Sequence, residues 1–198
     1  MKYLYSIILV LALLFPAALF AEENAGQAPG FSITAYPFQA LVGLYSLEGE
    51  IAVTEHISLA VEFKYLNWDL DYDWLGGDWE FSIFSLGPGL RYYTSRALSG
   101  FFIGPYVSYV STDITYTDED SGNRGEASLN GYNIALWLGY KLVIKSFFIE
   151  LSTGVSYLTL DPEVTYTNSS GQSVSRSFDL GLGGLYWPGI GLGIGFTF

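Results

Sequence analysis

A single histidine and no cysteine in 198 residues leave little for acid–base or nucleophilic chemistry. Hydrolases and acyl transferases set an imidazole base against a serine or a carboxylate. The one imidazole, His56, stands in the short polar turn Thr54-Glu55-His56, and no His-x-Ser pattern or His–Asp pair accompanies the longer polar segments. A surface-turn histidine is the plain reading. Without cysteine there is neither a disulfide nor a thiolate metal site. The sequence predicts no enzyme and no cofactor.

Two acidic patterns remain. Residues 69–80, DLDYDWLGGDWE, carry carboxylates at alternating positions, with Glu80 twelfth from Asp69. That spacing belongs to a calcium loop of the EF-hand type, but Trp74 occupies the position where such a loop requires glycine, and no helices flank it. A looser site in which divalent cations bridge acidic loops to an anionic surface is the remaining metal chemistry. A solvated rim is the simpler reading. The same segment interleaves Trp68, Leu70, Tyr72 and Trp74 with its acids, a stripe suited to lining an apolar cleft or to packing on neighbouring loops. The second pattern is a set of charges inside otherwise apolar, alternating segments: Glu48, Glu50, Glu62, Lys64, Arg91, Lys141 and Glu150.

The elements that must position those charges are strands. In the closing GIGLGIGFTF, Ile190, Leu192, Ile194, Phe196 and Phe198 alternate with four glycines and Thr197. A period of two puts one set on each face of a strand. One face is apolar and the other nearly bare, which suits a closed barrel with lipid outside. Counting back, strands are expected over 187–198, 147–160, 128–142, 101–117, 80–93, 57–68, 44–53 and 31–38. Short turns alternate with longer polar connections at 69–78, 118–126 and 161–186, the last centred on Asn168-Ser169-Ser170-Gly171. Tyr65, Tyr109 and Tyr157 near one rim, with Tyr92 and Tyr140 near the other, fit interfacial girdles. Parity turns all seven charges toward the lumen. Gly87, Gly89 and the glycines of the last strand also face inward, which predicts a bare wall with room for water.

The N-terminus fits export. Met1-Lys2, an apolar run over 4–15, Pro16 and small residues up to Ala21 describe a signal peptide over 1–21. A short segment over 22–29 and a barrel over 30–198 follow. Half of the residues are hydrophobic and 18% are aromatic, yet past the signal no apolar run is long enough for a spanning helix. A net charge of −12 disfavours nucleic acid as a partner.

The segments LEGE (47–50), LGPGLRYY (86–93), GFFIGPYVSY (100–109) and WPGIGLGIGFTF (187–198) carry a resemblance. Through them the chain resembles the small eight-stranded outer-membrane barrels of the OmpA/OmpX/OmpW kind, and more narrowly an uncharacterised family of such barrels from Gram-negative bacteria. The resemblance implies an all-β, up-and-down antiparallel barrel in the outer membrane, with long loops outside and both termini periplasmic. It also implies contact with outer-membrane lipid and lipopolysaccharide, assembly machinery reading the strand that ends at Phe198, and a monomer. It says almost nothing about activity.

Four acids and three bases inside a narrow barrel predict an ion-pair network, because an unpaired buried charge is costly. The expected role is a structural or surface-interaction barrel with a closed lumen. The alternative is a narrow passive channel or carrier for small, hydrophobic solutes.

Overall fold

The computed structural model describes residues 30–72, 77–118, 123–167, 172–177 and 185–198. The expected signal segment, the stretch 22–29 and the turn centred on Asn168-Ser169-Ser170-Gly171 lie outside the described residues. The described residues form nine strands, which alternate in direction up to β8, while β9 runs the same way as β8: β1 (Phe31–Ala35), β2 (Leu44–Ala52), β3 (Ile57–Tyr72), β4 (Gly77–Tyr93), β5 (Gly100–Thr117), β6 (Arg124–Ile144), β7 (Phe147–Thr167), β8 (Ser173–Ser177) and β9 (Leu185–Thr197). Each strand from β1 to β7 pairs with the next. β9 pairs with both β7 and β1, which closes the barrel. β8 pairs with the far end of β7 alone, so β8 and β9 share one place and the barrel has eight strand positions.

The expected alternation holds around the wall. Leu59, Val61 and Tyr65 on β3, Phe84, Leu86, Leu90 and Tyr92 on β4, and the run Tyr132 to Leu142 at even positions on β6 all point outward and are exposed. Together they form a continuous apolar belt, much larger than the patches a water-soluble monomer tolerates. Tyr65 and Tyr109 edge it on one side, Tyr92 and Tyr140 on the other. The turn after β6 is tighter than the expected 143–146. Only Lys145 and Ser146 connect Ile144 to Phe147, with Lys145 at φ 60°.

Two expectations are corrected. The first strand stops at Ala35 instead of reaching residue 38, and Pro37–Leu41 forms one helical turn, α1. Proline has no N–H for the ladder but suits the first turn of a helix. Phe38, Leu41 and Val42 face outward, whereas Tyr36 and Ala40 are buried. Thus α1 begins where the end of a longer first strand was expected, while β2 starts at Leu44 as expected.

The polar connections are the second correction, because most of their residues are strand. Asp69 pairs with Glu80 and Asp71 with Asp78, so the calcium-loop pattern is an antiparallel ladder up to Tyr72 and Gly77. β5 and β6 stay paired to Thr117 and Arg124, and Glu163 to Thr167 pair with β8. Strand pairing needs no apolar outer face. Beyond the belt the alternation persists with its polarity exchanged: Asn67, Glu80, Asp113 and Asn130 face out, while Leu66, Ile83, Ile114 and Leu129 occupy inward positions.

Candidate functional site

Five of the seven expected lumenal charges meet in one cluster. Glu48 and Glu50 project from the same face of β2, where they pair across the ladder with Thr34 and Ser32 of β1. Arg91 comes from β4, Lys141 from β6 and Glu150 from β7, with Lys141 and Glu150 directly opposite each other. Inward parity on four separate strands brings all five to one level, and each is at most 2% exposed.

Arg91 is the hub. Its guanidinium donates to Glu48 Oε2 at 2.8 Å, to both oxygens of Glu150 at 2.8 and 3.2 Å, and to Glu50 Oε2 at 3.3 Å. Lys141 lies opposite Glu150 in register, yet its closest partner is Glu50, at 2.5 Å, with Glu150 at 3.5 Å. Hydroxyls add further hydrogen bonds. Tyr93 donates to Glu50 Oε1 at 2.7 Å, Tyr106 to Glu48 Oε2 at 2.9 Å and Tyr36 to Glu150 Oε1 at 3.3 Å. Ser58 also donates to Glu50 Oε1. The cations lie on rings: Arg91 Cζ is 4.2 Å from the Phe102 centroid and Lys141 Nζ is 4.4 Å from that of Phe148. Such contacts strengthen when water is excluded.

The other two charges stand apart. Lys64 bridges Glu62 at 2.9 Å, with side chains 20% and 11% exposed. This pair lies farther along β3, toward the end that carries Trp68.

The glycine wall is occupied. A Cβ at Gly89 would collide with the Tyr106 ring, at Gly189 with Trp137 and at Gly195 with Phe148. Gly191 and Gly193 face Tyr36. The bare face of β9 thus makes space chiefly for aromatic rings from other parts of the barrel, and Gly191 also lines a cavity of about 20 Å³. The barrel interior is filled at this level, as an eight-stranded barrel permits. Tyr93, Phe102, Tyr106, Trp137 and Phe148 were readable from the same parity as the charges. Tyr36 was not, since it lies between β1 and α1.

The remaining expected chemistry has ordinary places. His56 Nδ1 lies 3.1 Å from the Tyr93 carbonyl oxygen, and Tyr93 N–H donates to the His56 carbonyl at 2.8 Å, so the residue ties the β2–β3 turn to β4. Trp68 Nε1 donates to the Val42 carbonyl at 2.7 Å, joining the β3 extension to the segment after α1. The side chains of Leu70 and Tyr72, and the whole of Trp74, lie outside what is described. Among the described residues no three acidic or imidazole groups converge as a metal site.

A solved outer-membrane barrel shares the fold, and further barrels align at lower scores. The crystal structure of a major outer membrane protein from Thermus thermophilus matches with a TM-score of 0.62 at 16% identity, over 87% of this chain and 100% of that one. CarO of Acinetobacter baumannii aligns at a TM-score of 0.47 and 11% identity, over 86% and 98% of the two chains. The N-terminal β-barrel domain of Pseudomonas aeruginosa OprF aligns at 0.40 and 19%, over 87% and 100%. No curated protein sequence matches the chain. Residues 10–179 match the family described as protein of unknown function (DUF3575), and this closed, charge-filled barrel belongs to that family.

Proposed function

We propose that the protein is an integral barrel of the bacterial outer membrane whose lumen is closed by side chains, and that its role is structural and surface-presenting. The observation that carries this reading is the filled lumen. Arg91, Lys141 and three glutamates cross it at one level, with aromatic rings packed against the glycines of β9. Buried ion pairs of this kind fix strand register at a cost in desolvation. The apolar belt supports residence in lipid, and a signal segment with a terminal aromatic strand supports export to the outer membrane. Its single imidazole is engaged in a turn.

Two experiments test the proposal. The protein should fractionate with the outer membrane and migrate faster when left unheated on a denaturing gel. Liposomes holding the refolded protein should not swell in an isotonic sugar solution. Recovery from the soluble periplasm, or swelling at a rate set by protein content, would contradict it.

One observation favours a second role. Beyond Trp137 the inward positions turn apolar, with Leu66, Ile83, Ile114 and Leu129 facing one another across polar-backed strands. An apolar inner face at this level suits a small hydrophobic solute. Saturable quenching of tryptophan fluorescence by such a solute, weakened in Ile83→Asp, would support a carrier.

A further inference from the structure

The buried cluster does not balance. Glu48, Glu50 and Glu150 bring three carboxylates against the two cations Arg91 and Lys141, all five at most 2% exposed. The Glu62–Lys64 pair beside them is neutral in sum. A buried excess negative charge is costly unless something neutralises it.

The unsatisfied atoms say where. Among the described residues five buried polar side-chain atoms lack a partner: Thr34 Oγ1, Gln39 Oε1, Ser46 Oγ, Glu48 Oε1 and Trp79 Nε1. Four of these belong to one patch of wall. Thr34 is the ladder partner of Glu48, Ser46 is its neighbour on the same face of β2, and Gln39 is on α1. Unpartnered buried atoms are rare enough that such a gathering calls for a bound water or ion.

There is also space. A cavity of about 20 Å³ lies between the five-charge cluster and the Glu62–Lys64 pair, and both Glu48 and Gln39 line it. That is room for one water-sized guest, for which ~10–15 Å³ suffices. Tyr36, Tyr106 and Trp137 complete much of its wall. The two cations at its edge are already engaged, Arg91 by three carboxylates and Lys64 by Glu62.

We propose that this chamber binds one small, singly charged inorganic cation, of the sodium or potassium class, with Glu48 Oε1 and Gln39 Oε1 as ligands. One unit of positive charge neutralises the excess. Hard oxygen donors suit such an ion, and with Glu50 and Glu150 engaged by Arg91 and Lys141 only one carboxylate is left for it, which argues against a divalent one. Lys64, still 20% exposed, marks the side from which the chamber meets solvent. A proton on Glu48 and a lone water are the competing occupants. The site does not depend on whether the barrel conducts, which a current measurement reads separately.

The test uses the full chain refolded in a neutral detergent. Its heat-unfolding midpoint is compared in sodium, potassium and N-methylglucamine chloride at equal ionic strength, with sodium-23 NMR line widths on the same samples. The expected result is a saturable rise of about 3–6 °C at ten times the dissociation constant, with excess sodium broadening that potassium competes away. Glu48→Gln should abolish both. Gln39→Leu, outside the strands and outside the ion cluster, should move half-saturation to higher sodium. Equal midpoints in the three salts without excess broadening would overturn the site in favour of a proton or a water. Dependence unchanged in Gln39→Leu would also overturn it, even where Glu48→Gln fails to refold.

Discussion

Glu48 and Glu50 stand two positions apart on one face of β2, yet their surroundings differ. Glu50 accepts from Lys141, Arg91, Tyr93 and Ser58, whereas Glu48 accepts from Arg91 and Tyr106 at a single oxygen. Glu50→Gln leaves Lys141 without its nearest counter-charge and should destabilise the barrel by ~3–5 kcal/mol. Glu48→Gln brings the cluster to equal numbers of acids and bases and should cost clearly less. Urea titration of both refolded variants in lipid vesicles checks the order, and equal losses would mean that the excess carboxylate is not where the contacts place it. Lys141 and Glu150 touch each other and are also linked through a second route, since Lys141 pairs with Glu50, Glu50 with Arg91 and Arg91 with Glu150. Lys141→Met and Glu150→Gln should therefore be non-additive by ~0.5–3 kcal/mol, the double variant losing less than the sum. Additive losses would indicate that water separates and screens the pair.

At the scale of elements, β6 and β9 show what alternation controls. Leu136 points into the apolar belt, so Leu136→Arg should cost ~2–4 kcal/mol if it lies near the bilayer midplane. Gly189 faces the Trp137 ring, so Gly189→Val should overpack the lumen by ~1–3 kcal/mol, although it is a gain in hydrophobicity. Refolding yield and urea midpoint distinguish these from a neutral outward change such as Val107→Ile. The same alternation explains what was legible in the sequence. Period two sorts a residue to a face whatever its partners, so all seven charges were read as inward before any contact was known. It does not tell which inward charges meet, because that depends on shear between strands. Hence parity alone does not reveal that Lys64 pairs with Glu62 or that Lys141 lies closest to Glu50. The extensions of β3 to β7 were read as loops because their outer faces turn polar, although Thr, Tyr and Val kept the strand preference. Pro37 signalled that the first strand was interrupted, but not that a helical turn would carry Tyr36 into the lumen.

For the molecule as a whole, the belt, the filled lumen and the polar-backed extension make three levels, each with a different solvent. The proposed orientation sets the end bearing the extended strands toward the environment and the tight turns toward the periplasm. Asn123→Cys should then react with an impermeant thiol reagent on intact cells, while Glu55→Cys and Ser146→Cys should react only after the outer membrane is opened. The opposite pattern would invert the barrel. The central claim is that Arg91, Lys141 and their glutamates close the lumen, and it is tested most directly by single-channel recording of the refolded parent in a planar bilayer in molar potassium chloride. Current at the bilayer background over long recordings is the expected result, with steps appearing only in a variant that removes both Arg91 and Phe102. Steady, ohmic steps in the parent, with ion preference altered by Glu150→Gln, would contradict it.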